Sequence, residues 1–351
     1  MIRMPARGVL ASAIVAVTAA ATAVATASAA PVAASRVRHI RVGGFPVSVA
    51  VDSGTRSAWV GNGHLIRISE ATQRIAARIQ GTAGAHFVAV DSRRHQVWAT
   101  DCTVLGCTII EVSVATNRVL HRIPGPPASS GIAVDPRTGL VWVAALDVGT
   151  GPNVLAISRA TRKIVHAIRL RTDLHHQLGP ITVDPRTGTV WASVIPADPS
   201  TSRSWVSQIS ESAHQVVHVY ARDDPGTTSV ITAVDSRRGT AWLAFGSFRE
   251  PSGTIEVVSI ARRKVLRTIL AAPVAPEGLA IDPRTHTVVA TVGKYPDVFS
   301  QDNIVVMAES SGKVTRVVQV GFYPSQLALD PATGNVYVPI VYKGVVTQFR
   351  L

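Results

Sequence analysis

The sequence has little of several features that define common classes of protein. Only two of its 351 residues are cysteine, which excludes a scaffold held together by many disulfides and a four-cysteine zinc site. Aromatic residues make up 5% of the chain, and acidic residues are outnumbered by basic ones, 22 against 35. The formal net charge of +13 favours contact with polyanions without naming one. Hydrophobic residues, at 46%, exclude a disordered chain.

Several motifs are also missing. The chain contains no Gly-x-Ser-x-Gly, no His-Glu-x-x-His, no phosphate-binding loop and no EF-hand pattern. No apolar run after residue 30 approaches the ~20 residues that cross a membrane, so we expect a protein that is not embedded in one. No complete catalytic constellation is evident, so the sequence favours a protein that is not an enzyme.

The first thirty residues differ from the rest. Arg3 and Arg7 precede an Ala/Val-rich run from residue 8 to about 25, and Ala27-Ser28-Ala29 forms a small-residue cleavage site. This pattern predicts a cleaved signal peptide over residues 1–29, a short linker over 30–36 and a secreted, extracellular or periplasmic location. An uncleaved membrane anchor is the alternative.

One phrase recurs seven times along the remaining chain, at intervals of 39 to 51 residues. An apolar stretch ends at an aspartate, a turn rich in Arg, Thr and Gly follows, and an aromatic residue or its substitute stands seven positions after the aspartate. The aspartates are Asp52, Asp91, Asp135, Asp184, Asp235, Asp282 and Asp330. Their partners are Trp59, Trp98, Trp142, Trp191, Trp242, Val289 and Tyr337.

Each repeat predicts four antiparallel strands, which is one propeller blade. The last repeat has room for only three strands. Residues 37–42 match residues 314–320, which are the fourth strand of the preceding repeat, so they can supply the strand that the last repeat lacks. An N-terminal strand that completes the last blade would close a ring and remove a free sheet edge. We therefore predict an all-β, seven-bladed β-propeller over residues 37–351. A stacked solenoid is the alternative, and it would need capping repeats.

The repeated phrases, such as VDPRTGLVWV from Val134 and AISRATRKIV from Ala156, resemble the YVTN-type β-propeller repeat of YncE-like exported proteins. A weaker similarity extends to NHL repeats and to lactonase-like and lyase-like propellers. The resemblance covers residues 37–351 and implies the fold. It leaves function open, because this architecture serves in binding proteins, scaffolds, lactonases and lyases. We expect an extracellular binding or surface-interaction module, and a monomer.

The turns between strands one and two, and between strands three and four, share one end of every blade, here called the underside. Basic residues crowd these turns, and the candidates for binding a polyanion are Arg93, Arg94, Arg162, Lys163, Arg237, Arg238, Arg262, Arg263 and Lys264. An anionic cell-wall polymer, a glycan or a nucleic acid would suit this surface. The alternative is an arginine-rich composition that simply places arginine at solvated turns.

The opposite end, here called the top face, surrounds the mouth of the central channel. Glu277 and His86 stand where innermost strands begin, and Glu277-Gly278 resembles the Glu-Gly opening of metal-dependent propellers. His64, Asp101 and Asp147 are further candidate metal ligands, and His175 and His176 are further candidate catalytic residues. No cofactor is required, but Ca, Mg or Mn held here would support a metal-assisted lactonase, hydrolase or lyase as the alternative function.

The two cysteines stand five residues apart in blade two. In an exported protein, Cys102 and Cys107 on one hairpin loop predict a local disulfide that stiffens the loop. A redox role is the weaker alternative, because the chain has no Cys-x-x-Cys motif.

Overall fold

The computed structural model describes residues 37–103, 106–126, 128–147, 151–170, 176–196, 203–222, 227–247, 253–271, 276–292 and 303–351. Its strands form seven sheets of four antiparallel strands each. This is the predicted seven-bladed β-propeller. None of the described residues belongs to a helix that is long and apolar enough to cross a membrane.

The chain builds six blades in order from the innermost strand outward. Blade one consists of β2 (Ser48–Asp52), β3 (Ser57–Gly61), β4 (Leu65–Ser69) and β5 (Arg74–Arg78). Blade two consists of β6 (Ala85–Asp91), β7 (Gln96–Thr103), β8 (Gly106–Ser113) and β9 (Arg118–Pro124). Blade three consists of β10 (Ala128–Asp135), β11 (Leu140–Asp147), β12 (Gly151–Ser158) and β13 (Lys163–Arg169). Blade four consists of β14 (His176–Asp184), β15 (Thr189–Pro196), β16 (Ser204–Ser210) and β17 (Gln215–Arg222). Blade five consists of β18 (Thr227–Asp235), β19 (Thr240–Ser247), β20 (Gly253–Ser259) and β21 (Lys264–Ala271). Blade six consists of β22 (Leu279–Asp282), β23 (Thr287–Val292), β24 (Asn303–Ala308) and β25 (Val314–Gln319).

The seventh blade combines the two ends of the propeller. Its strands are β26 (Ala328–Leu329), β27 (Asn335–Ile340), β28 (Val345–Arg350) and, as the outermost strand, β1 (Arg38–Arg41). β1 pairs antiparallel with β28. Innermost strands contact one another in chain order, and β26 contacts β2, so the ring closes as predicted.

Hydrophobic clusters fill the spaces between blades. Trp59 of blade one packs with Ala85 and Val97 of blade two, and Trp142 of blade three packs with Leu178 of blade four. The seven side chains in the aromatic position of the repeat are fully buried, including Val289 where the aromatic is missing. Burial of such large side chains stabilises the stacking of blades.

The turns between strands three and four share one conformation even where their sequences differ. The fourth turn residue has a positive φ in six blades, and the pairing of strands three and four shifts by one residue just beyond it. The positive-φ residues are Gln73, Asn117, Arg162, His214, Arg263 and Gly312. The turn therefore depends on a left-handed residue and a bulge rather than on threonine, which blades four to six lack.

Candidate functional site

The repeat aspartates organise the turns of the underside. Asp135, for example, accepts hydrogen bonds from the backbone N–H of Arg137 at 2.6 Å and from the hydroxyl of Thr138 at 2.9 Å. All seven repeat aspartates are buried. Six of them, all but Asp91, accept hydrogen bonds from the turn between strands one and two through their side chains.

The underside separates buried acids from exposed bases. Ten buried carboxylates belong to this end, namely Asp52, Asp91, Asp135, Asp184, Asp235, Asp282, Asp330, Glu70, Glu211 and Glu309. The exposed cationic residues of the same turns are Arg56, Arg74, Arg93, Arg94, Arg118, Arg137, Lys163, Arg186, Arg237, Arg238, Arg262, Arg263, Lys264, Arg284 and Lys313. Because the acids are buried and the bases are exposed, the solvent-facing side chains of these turns are mainly cationic.

Three of the nine predicted polyanion-binding residues are already engaged in ion pairs. Arg94 lies 3.9 Å from Asp91, Arg162 lies 3.0 Å from the buried Glu111, and Arg238 lies near Asp235 and Glu309. The other six form no ion pair with the residues that the structure describes, and all six are exposed: Arg93, Lys163, Arg237, Arg262, Arg263 and Lys264.

Three glutamates reach from one blade to the repeat aspartate of the blade before it. The Oε1 atom of Glu211 accepts a hydrogen bond from Trp142 Nε1 at 2.8 Å, and its Oε2 atom accepts one from Arg137 at 3.1 Å. Burial, followed by the neighbouring carboxyl of Asp135, raises the pKa of Glu211 to about 7. Glu70 beside Asp330 and Glu309 beside Asp235 also have raised pKa values, again chiefly through burial.

At the top face, Glu277 stands immediately before the innermost strand of blade six. Its backbone N–H donates to the hydroxyl of Thr291 at 3.0 Å. The next residue, Gly278, lies so close to blade seven that an added Cβ would be 2.9 Å from the carbonyl oxygen of Ser325. The Glu277 side chain is half-buried, and burial raises the pKa of its carboxyl to about 7. A carboxyl that titrates near neutral pH suits proton transfer.

Two of the other candidate ligands of the top face, His86 and Asp101, both contact the backbone of Gly84. The Nδ1 atom of His86 lies 2.8 Å from the carbonyl oxygen of Gly84. Asp101 is buried in β7, where it accepts hydrogen bonds from the backbone N–H of Gly84 at 2.7 Å and from Arg122 at 2.6 Å. These bonds give Asp101 a structural role that the sequence did not reveal.

The remaining candidates of the top face are described only in part. The backbone N–H of His64 donates to Asn62 Oδ1 at 3.2 Å. His175 lies outside the described residues, as do the side chains of Asp147 and His176.

Cys102 and Cys107 are joined by a disulfide. We expected them on a loop, but they lie directly opposite each other in β7 and β8, and the pairing continues to Thr103 and Gly106. The bond therefore cross-links two strands near the top of blade two. Gly125 directly follows β9, and its amide N–H donates to the Cys107 carbonyl at 3.0 Å. The backbone of Cys107 therefore also contacts the start of the segment that leads from blade two to blade three.

The described residues contain one group of His, Cys, Asp and Glu side chains that could hold a metal ion, and it lies at the underside. It consists of Asp235, His286 and Glu309, whose ligand atoms lie within 4.8 Å of one another. None of the predicted metal ligands belongs to it. Aligning the repeats would have found it, since His286 replaces the turn glycine of four other blades and Glu309 aligns with Glu70 and Glu211.

A groove of about 730 Å³ opens on the outer wall between blades three and four. His214 and His218 line it, and the ring of His214 stacks on that of His166 with centroids 3.4 Å apart. Burial lowers the pKa of both lining histidines. Val216, Arg169 and Arg203 also line the groove.

These features define a seven-bladed β-propeller with four-stranded blades. The chain is similar to Kuenenia stuttgartiensis hydrazine synthase, with 14% identity and a TM-score of 0.73 over 88% of this chain and 96% of that one. It is also similar to the β-propeller domain of Cps50 (Swd1) from Myceliophteria thermophila, with 10% identity and a TM-score of 0.68 over 90% of this chain and 100% of that one. At these identities the likeness shows the fold alone. No protein-family model and no curated protein matches the sequence.

Proposed function

We propose that the protein is an exported, YVTN-type propeller of the YncE-like kind, and that its underside attaches it to an anionic polymer outside the cytoplasm. The observation that carries this proposal is the separation of charge at the underside, where buried acids hold the turns and basic side chains face solvent. Such a surface binds closely spaced phosphates or carboxylates through many weak contacts and without sequence readout.

The test is retention on immobilised poly(glycerol phosphate), with duplex DNA as a second polymer. The variant Arg237→Glu/Arg262→Glu reverses two exposed charges that form no ion pair with the described residues. Its affinity should fall about tenfold or more at physiological ionic strength. The matched control, Arg41→Glu/Lys343→Glu, reverses two exposed charges near the top face and should bind nearly as the natural protein does.

Equal losses in the two double variants would contradict attachment through the underside. Absence of retention on both polymers would contradict the function itself. Retention on DNA alone would replace the cell-surface polymer with a nucleic acid as the partner.

A second candidate function is metal-assisted hydrolysis of a lactone or ester at the top mouth, and Glu277 is the observation that favours it. Its carboxyl combines a half-buried position with a pKa raised to about 7, and the described residues offer it no ion pair. The natural protein, supplied with Ca²⁺, Mg²⁺ or Mn²⁺, should then hydrolyse a member of a lactone panel, and Glu277→Gln should abolish this activity. Equal rates in both proteins would contradict it.

A further inference from the structure

We infer that Asp235, His286 and Glu309 form a zinc-binding site at the underside, between blades five and six. His286 Nδ1 and Glu309 Oε2 are 3.2 Å apart. Two ligands at about 2.0–2.1 Å from a tetrahedral Zn²⁺ stand roughly 3.3 Å from each other, so this spacing already suits the ion. One imidazole nitrogen and two carboxylate groups favour zinc over calcium or magnesium, which prefer oxygen ligands alone.

Two buried carboxylate oxygens in this group have no hydrogen-bond partner among the described residues. They are Asp235 Oδ2 and Glu309 Oε1, and their residues are only 1% and 3% exposed. A buried carboxylate oxygen without a partner is costly, and a bound cation would satisfy both atoms at once.

Glu70 Oε2 also lacks a hydrogen-bond partner among the described residues, so the difference from the two equivalent carboxyl pairs lies in the aromatic donor. Glu70 receives a hydrogen bond from Tyr337 at 3.2 Å, and Glu211 receives one from Trp142. In the third pair, the corresponding donor, Trp242 Nε1, has no acceptor among the described residues, because Glu309 turns toward His286 instead.

His286 occupies a turn position that is glycine in four of the seven blades. Its φ is +54°, in the left-handed region, where four other blades have Gly139, Gly188, Gly239 and Gly334. A residue with a side chain is strained in this conformation. The imidazole is 49% exposed while it contacts the buried Glu309, which gives an ion a path from solvent.

Arg238 is the competitor for this site. Its Nε atom lies 3.4 Å from Glu309 and 3.9 Å from Asp235, and its side chain is 41% exposed. A guanidinium in this position partly neutralises the two carboxylates and must move aside when a metal binds. Removing it should therefore strengthen binding of the ion.

The experiment uses the full, untagged protein after treatment with a chelator, titrated calorimetrically with Zn²⁺ alone at pH 7. We expect one saturable ion per chain, at least tenfold weaker binding in His286→Gln and tighter binding in Arg238→Gln. His95 provides the matched control, since it has the same φ of +54° in the turn of blade two but belongs to no metal-ligating group among the described residues. His95→Gln should bind zinc as the natural protein does.

Absence of saturable binding in a folded protein would overturn the inference, as would unchanged affinity in His286→Gln. Loss of zinc in His214→Gln would also overturn it, because that result would assign the ion to the stacked pair of His166 and His214. Circular dichroism of each variant shows that the propeller is intact. Co²⁺ gives a second readout, since intense visible absorption that disappears in His286→Gln indicates a four-coordinate site with imidazole.

Discussion

Carboxyl groups at the underside are paired across blades rather than left to solvent. Glu211 and Asp135 are both buried and close enough to influence each other's titration. Burial and Asp135 raise the pKa of Glu211 to about 7, whereas hydrogen bonds, including one with Glu211, outweigh burial and lower the pKa of Asp135. At acidic and weakly acidic pH, a proton is therefore held between the blades.

The direction of the pH effect follows from the raised pKa. The ordinary pKa of Glu211 is 4.5 and its pKa in the folded protein is about 7. Its contribution to the free energy of unfolding is therefore complete below pH 4.5 and is lost as the pH rises through 7. The loss amounts to roughly 3 to 4 kcal/mol at most.

We predict that Glu211→Gln flattens this dependence. Glutamine keeps the acceptor for Trp142 and supplies N–H donors toward Asp135, but it does not ionise. Urea unfolding at pH 5 and pH 8 should show a smaller fall in stability with pH than in the natural protein. A variant with the same fall would show that the Glu211 carboxyl does not carry the proton. Glu70 and Glu309, which keep their own raised pKa values, should leave part of the fall in place.

At the scale of residues, the repeat predicts the buried aspartates and aromatics, since each recurs in phase with one strand pattern. The partners of Glu70, Glu211 and Glu309 were not predicted, because each lies on the blade before and the contact depends on how neighbouring sheets stack. The same stacking brings Arg159 of blade three to the buried Asp91 of blade two. For that reason the pattern of a single repeat does not predict the group of Asp235, His286 and Glu309, whose members come from two blades.

The strand that closes the ring is the element on which the last blade depends. β1 contributes Ile40, which is 6% exposed and packs in a cluster with Val49 of blade one and Tyr337 of blade seven. This side chain therefore stabilises both the pairing with β28 and the contact between the first and last blades.

We predict that Ile40→Ala lowers the free energy of unfolding by about 2 to 4 kcal/mol, as expected when a buried isoleucine is truncated. The matched control is Ile164→Ala in β13, an outermost strand of blade three, where the same side chain is 46% exposed. This control should change stability by less than about 0.5 kcal/mol. Similar values for the two variants in urea unfolding would indicate that β1 does not hold the ring closed.

At the scale of elements, sequence predicted the four-stranded blades and the closing strand correctly, because hydrophobic alternation and the unfinished last repeat leave few other arrangements. It was wrong about the setting of the cysteines. The pairing of β7 and β8 extends through Cys102 and Cys107, since backbone hydrogen bonds continue past the point where the pattern of apolar residues ends.

Over the whole molecule, a ring of repeated turns spreads the basic side chains around one face. Each exposed arginine is therefore expected to contribute a small, additive share of binding to a polyanion, with no single residue indispensable. The repeat aspartates are buried, so the side chains that face solvent on this face are the basic ones.

Distributed contacts of this kind predict a particular dependence on salt. The logarithm of the association constant for poly(glycerol phosphate) should fall linearly with the logarithm of salt concentration, by a slope of about 0.7 per phosphate contacted on a single-stranded polymer. Arg237→Glu/Arg262→Glu should reduce the magnitude of that slope by about 1 to 2, while Arg41→Glu/Lys343→Glu should leave it nearly unchanged. Binding that is insensitive to salt would require apolar or shape-specific contacts, which the exposed cationic turns of the underside do not supply.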